Sequence, residues 1–231
     1  MSKENVLFVI IGLLGGLIIG FVFANSVNQR AAVTVTGPAR QNANIPPGHP
    51  EVPGAGGGGM QPEIRAAIDQ AKKEPDNFDA QLKAAEFYYQ IERFDGSIEF
   101  LKRANQLKPD SREVIVHLGN AYFDSGKYED AERWYTSALA KRTDDVGVRT
   151  DLGLTFLFRE KPDYDRAIKE FTRSLELDPN HAQTLQNLTV AYTKKGDSEL
   201  ANRTLARLEI FDPTNESLAK LREDIQKAEK K

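Results

Sequence analysis

The chain has 231 residues, 40% of them hydrophobic and 28% charged, a balance that excludes a wholly disordered polymer and leaves room for one or two domains. Its net charge of −3 is mixed in sign, without the concentrated basic stripe that a nucleic-acid partner requires. No cysteine is present, which rules out disulfides, thiolate nucleophiles, Cys-ligated zinc and iron–sulfur clusters.

The first expected element is "VLFVIIGLLGGLIIGFVFA", Val6 to Ala24, which contains no charged or strongly polar residue. At 1.5 Å per residue it spans roughly 28 Å, near the hydrocarbon thickness of a bilayer. It reads as a membrane helix, and residues 1–27 as an N-terminal anchor. A cleavable signal is the rival, because "VFA" precedes Asn25. Its apolar run exceeds the roughly 7–15 residues usual for a signal, which favours an uncleaved anchor. The flanking charges, Lys3 and Glu4 against Arg30 and Arg40, do not decide orientation. A short N-terminal tail before a large C-terminal domain points to a domain on the extracytoplasmic side, the periplasm if the membrane is a bacterial inner membrane. Gly12, Gly16 and Gly20 fall four apart, along one helix stripe where a second copy can approach closely. Homo-oligomers are therefore one expectation.

Residues 28–61 turn to Pro, Gly, Ala, Asn and Val, with "NIPPGHPEVPGAGGGG" at the densest. This reads as a tether with a reach of about 30 Å. The G-x-G-x-x-G inside "GAGGGG" has no strand before it and no βαβ unit around it, so it is not a dinucleotide fingerprint. His49 is a single imidazole and does not make a metal or haem site.

From residue 62 onward the chain repeats. Tyr88, Tyr122, Phe156 and Tyr192 are 34, 34 and 36 residues apart, and Ser97, Ala131, Ala167 and Ala201 are 34, 36 and 34 apart. The two extra residues of the third repeat must lie between Phe156 and Ala167, around "REKPDYD". Pro75, Pro109, Pro179 and Pro213 keep the same beat, with Thr143 in the missing place. Such a period marks stacked helix pairs.

The pattern resembles the tetratricopeptide repeat, Leu-Gly-x-x-Tyr, then Ala-x-x-x-Phe, then Pro. Residues 112–145 carry it most fully in Leu118, Gly119, Tyr122, Gly126, Tyr128, Ala131, Tyr135 and Ala138. Residues 146–181 follow with Leu152, Gly153, Phe156, Tyr164, Ala167, Phe171 and Pro179. Residues 78–111 keep Ala85, Tyr88, Phe94, Ala104 and Pro109; residues 182–215 keep Leu188, Tyr192, Gly196, Ala201 and Pro213. The resemblance implies an all-α, right-handed superhelical solenoid of about four helix pairs over residues 62–231. Amphipathic segments before residue 78 and over residues 216–231 would cap it, with Asn215 as a plausible N-cap of the last helix. Tyr122, Tyr128, Trp134 and Tyr135 are expected in the packing between helices.

The resemblance further implies that the first helix of each pair lines a groove for a protein segment. The corresponding places hold Leu82, Glu86 and Tyr89; Val116, Asn120 and Phe123; Thr150, Leu154 and Leu157; and Gln186, Val190 and Thr193. A solvent-facing strip containing Tyr89, Phe123, Leu154 and Leu157 would suit an extended peptide or an amphipathic helix. Leu82 and Glu86 stand where carboxylate-holding relatives use lysine and asparagine, which argues against that mode. No catalytic residue, metal or cofactor is indicated, since His49, His117 and His181 are scattered and no nucleophile pairs with them. The expected function is a membrane-anchored scaffold. An anchor, a tether and a small repeat domain together also resemble the accessory subunits of bacterial cytochrome c maturation, which handle apocytochrome segments beside haem lyase.

Overall fold

A computed structural model describes residues 62–230; the anchor, Gly12, Gly16, Gly20, His49 and the tether lie outside the described residues. Ten helices, and no strand, occur among the described residues. Helix α1 covers Pro62–Lys73, and four pairs follow: α2 Phe78–Gln90 with α3 Phe94–Leu107, α4 Arg112–Asp124 with α5 Tyr128–Lys141, α6 Val146–Phe158 with α7 Tyr164–Leu177, and α8 Ala182–Lys195 with α9 Ser198–Phe211. Helix α10, Leu218–Glu229, closes the array. Each helix packs on its neighbours in the chain, so the solenoid is built from adjacent contacts.

The starts of the helices follow from capping chemistry. Asn77, Ser111 and Asp145, 34 residues apart, accept hydrogen bonds from the backbone amides of Ala80, Val114 and Val148 at the first turns of α2, α4 and α6. At α8 the fourth member of this series is His181, which has no side-chain cap bond and turns its Nδ1 to Thr184 Oγ1 at 2.7 Å. The turn within each pair is also repeated: the amides of Arg93, Lys127, Asp163 and Asp197 donate to the carbonyls of Tyr88, Tyr122, Phe156 and Tyr192. The two extra residues of the third repeat lengthen this turn to 159–163 without disturbing that bond. Gly126 and Gly196 hold positive φ at two of these turns, where a side chain would be strained. Asn215 is not the N-cap of α10; that place falls to Ser217, and Asn215 accepts from the Ser217 amide at 3.0 Å and so shapes the preceding turn.

The core is set by close approach of paired helices. A methyl group on Gly119 would meet the Tyr135 ring, and one on Gly153 would meet the Phe171 ring, so each small residue is the floor of an aromatic socket. The first pair uses the same device shifted along the helices: Gly96 on α3 receives Tyr88, which stacks on Phe100 at 5.6 Å between centroids. Tyr122 and Tyr135 are buried, whereas Tyr128 and Trp134 are half-buried.

The third and fourth pairs are joined by a buried hydroxyl network. Thr150 Oγ1 lies 2.9 Å from Ser174 Oγ and 2.6 Å from Thr184 Oγ1, and both Thr150 and Ser174 donate to the Val146 carbonyl. All three hydroxyl residues are inaccessible to solvent, so removing one leaves the others without a water substitute. Thr184→Val is expected to cost about 2 kcal/mol in urea unfolding, and Thr184→Ser less than half of that.

Candidate protein-interaction groove

The first helices α2, α4, α6 and α8 carry every groove position named above. Glu86 is exposed, and Leu82, Tyr89, Val116, Asn120, Gln186, Val190 and Thr193 are half-buried. Phe123, Thr150, Leu154 and Leu157 are buried, contrary to the solvent-facing strip expected for three of them. The reason lies in α6, whose buried set includes Val148, Thr150, Leu152, Gly153, Leu154, Thr155, Phe156 and Leu157 and therefore runs round most of the helix. A helix apolar over most of its circumference is packed on most sides, and between Val148 and Leu157 α6 leaves only Arg149 and Asp151 partly open. Phe123 packs against Tyr128 and Phe158, at 5.3 and 6.0 Å between ring centroids.

The centre of the surface is polar. The Tyr89 hydroxyl donates to the Asp124 carboxylate and bridges α2 to α4. The Tyr135 hydroxyl donates to Asn120 Oδ1 at 2.9 Å, which ties α5 to α4. Burial pushes the Tyr135 hydroxyl well above its ordinary pKa, and the carboxylates of Asp151 and Asp124 push it further, so it remains a donor. Asp151, half-buried on α6, is raised to about 7 by burial first and by the charges of Asp145 and Asp124 second. The structure thus brings Tyr89, Asn120, Asp124, Tyr135 and Asp151 into one electrostatic neighbourhood. Asp124 and Asp151 were missed in the sequence; the available signal was that Asp151 adjoins Thr150 and Asp124 adjoins Phe123, both on groove helices.

Elsewhere half-buried acids are matched. Burial alone would raise Glu132, but hydrogen bonds from Arg159 and Arg166 outweigh it and hold the carboxyl below its ordinary range. Both arginines also lie over the Phe156 ring, at 4.6 and 3.9 Å from its centroid. Asp145 is likewise held down, against its burial, by the Val148 amide and by Arg112 and Arg142. A cavity of about 420 Å³ opens between α7, α8 and α9, lined by Leu175, Leu188, Tyr192, Leu200, Arg203 and Thr204 among others. No group of three or more His, Cys, Asp or Glu placed to hold a metal occurs among the described residues.

Four helix hairpins in register, with aromatic sockets inside and polar first-helix faces outside, define a repeat solenoid of the interaction-module class. Tetratricopeptide-repeat models match residues 92–150 and 158–225, and a further one matches residues 61–112. The chain belongs to the tetratricopeptide-repeat family. It is 25% identical over 158 residues to BBSome complex member BBS4 of Bos taurus, covering 68% of this chain and 30% of that protein. It is 27% identical over 152 residues to the TPR repeat-containing protein YpiA of Bacillus subtilis (strain 168), covering 64% of this chain and 35% of that one. The chain thus spans about a third of the length of these curated relatives. Among solved structures, MamA superposes with a TM-score of 0.59 at 26% identity, over 68% of this chain and 83% of MamA. YrrB, described as a TPR protein with an unusual peptide-binding site, superposes with a TM-score of 0.61 at 18% identity, over 69% of this chain and 81% of YrrB.

Proposed function

We propose that this protein is a membrane-anchored scaffold whose repeat domain binds a protein segment along α2, α4, α6 and α8. The observation that carries the reading is the strip of accessible side chains in matching repeat places, Leu82, Glu86, Val116, Gln186 and Val190, beside buried groove positions at Phe123, Thr150, Leu154 and Leu157. Affinity would come from an extended or helical segment that crosses several repeats, with the aromatic edge at Tyr89 and Phe158 at one end of the first helices. Support also comes from the similarity in fold to YrrB, whose description includes a peptide-binding site. Anchoring rests on the apolar run Val6 to Ala24. A narrower form of the reading, assistance to cytochrome c maturation, rests on that arrangement alone and predicts binding of a Cys-x-x-Cys-His peptide.

In-cell photo-crosslinking from Gln186 and Val116 in the full-length chain, followed by separation of membrane and soluble fractions, tests the reading. A discrete partner captured at both positions in the membrane fraction, and absent from a probe at the exposed Glu129, is the expected result. Capture only of other copies of this chain would replace groove recognition with self-assembly. Recovery of the chain in the soluble fraction would remove the anchor.

A further inference from the structure

We propose that the segment bound in the groove is basic and places a lysine or arginine side chain against Asp151. This deepens the groove reading and rests on it. The starting point is a contrast among buried carboxylates. Asp145, Glu132 and Glu170, with side chains 13%, 22% and 12% exposed, are each met by two arginines: Arg112 and Arg142, Arg159 and Arg166, Arg149 and Arg173. At these three places the fold supplies guanidinium groups where it withdraws an acid from water, and the half-buried Asp163, Asp178 and Asp197 accept from backbone amides instead, as the cost of an unmatched buried charge demands.

Asp151 breaks the pattern: it is half-buried on a groove helix, and no ion pair or hydrogen bond to its side chain occurs among the described residues. None of the groups around it supplies a donor. The Tyr135 hydroxyl of α5 already donates to Asn120, Asp124 of α4 accepts from the Tyr89 hydroxyl, and Asp145 at the start of α6 is matched by its own arginines. What would satisfy the Asp151 carboxylate is a cation with an N–H to donate.

A second observation lies on the next groove helix. Asn187 on α8 occupies the same repeat place as Asp151, 36 residues later, as Tyr192 does relative to Phe156. It is only 9% exposed, and its Nδ2 finds no acceptor among the described residues. Helices α6 and α8 are in contact. An extended chain crossing them can offer a main-chain carbonyl to the Asn187 amide and a cationic side chain to Asp151, satisfying both groups at once. A segment bearing a carboxylate would instead meet Asp151 with like charge.

Selection of a random heptapeptide display library on the full-length chain at pH 8 tests the proposal, with Glu129→Gln as the control variant. Selected peptides are expected to share a Lys or Arg. A synthetic copy should bind about tenfold more weakly to Asp151→Asn, about tenfold more weakly when its basic residue becomes norleucine, and unchanged to Glu129→Gln. The same peptide should also weaken when the pH is lowered from 8 to 5.5, as Asp151 takes up its proton. Selected peptides without a basic residue, or binding indifferent to Asp151→Asn but lost with a bulky charge at Val190, would overturn the basic-segment proposal and leave the groove reading standing. Selection of no peptide would overturn both.

Discussion

Phe171→Ala is expected to lower the stability of the repeat domain by about 4 kcal/mol, read as a shift of the urea midpoint at unchanged slope. Phe171 has no solvent exposure, and its ring rests directly on the backbone of Gly153, where even a methyl group would collide. Truncation removes the ring's transfer free energy and leaves a void beneath a residue that has no side chain with which to fill it. Neighbouring helices are held by the same socket, so the gap cannot close by a local shift. Phe158→Ala supplies the comparison: its ring is 41% exposed, and its loss should cost less than about 1 kcal/mol. Equal losses at the two positions would refute the socket as the source of cohesion in the third pair.

Asp151→Asn is expected to stabilise the protein by about 2 to 4 kcal/mol at pH 8.5 and to leave stability nearly unchanged at pH 4. In the folded chain the carboxyl retains its proton up to about 7, whereas in the unfolded chain it releases it near the ordinary value of about 4. Between those values the folded state binds the extra proton, so wild-type stability falls as pH rises through the window. Asparagine cannot ionise and escapes this loss. Urea unfolding of both proteins at pH 4 and 8.5 reads the difference directly; a gap that does not widen with pH would show that Asp151 is well solvated. A gain in stability on removing a charged residue would fit a carboxylate kept for recognition rather than for folding.

The repeat period was legible because close packing of paired helices demands a small residue and an aromatic one at set distances, and Gly119, Tyr135, Gly153 and Phe171 meet that demand in sequence as in space. The site of the two-residue insertion was equally readable, since it is a local event in the chain, whereas the one cap named from the sequence, Asn215, gives way to Ser217. The groove was legible only as a list of places. Phe123, Leu154 and Leu157 stand at groove positions by repeat spacing, yet they are buried, because exposure on a first helix depends on what the adjoining pairs place against it. Thr150 offers the same lesson: its spacing marks it as groove-lining, but Ser174 and Thr184, from two other helices, draw it into a buried network.

Helix, turn and repeat register are thus properties of the chain itself, because they arise from contacts over four residues in a helix and about fifteen between paired helices. The electrostatics of Asp151 are not, because they arise first from the burial that stacked pairs impose, and then from Asp145, six positions earlier, and Asp124, 27 positions earlier on another helix. Whether a carboxylate meets an arginine, as Glu132 does, or meets none depends on which side chains the stacking of pairs brings into range and on how much water that stacking removes.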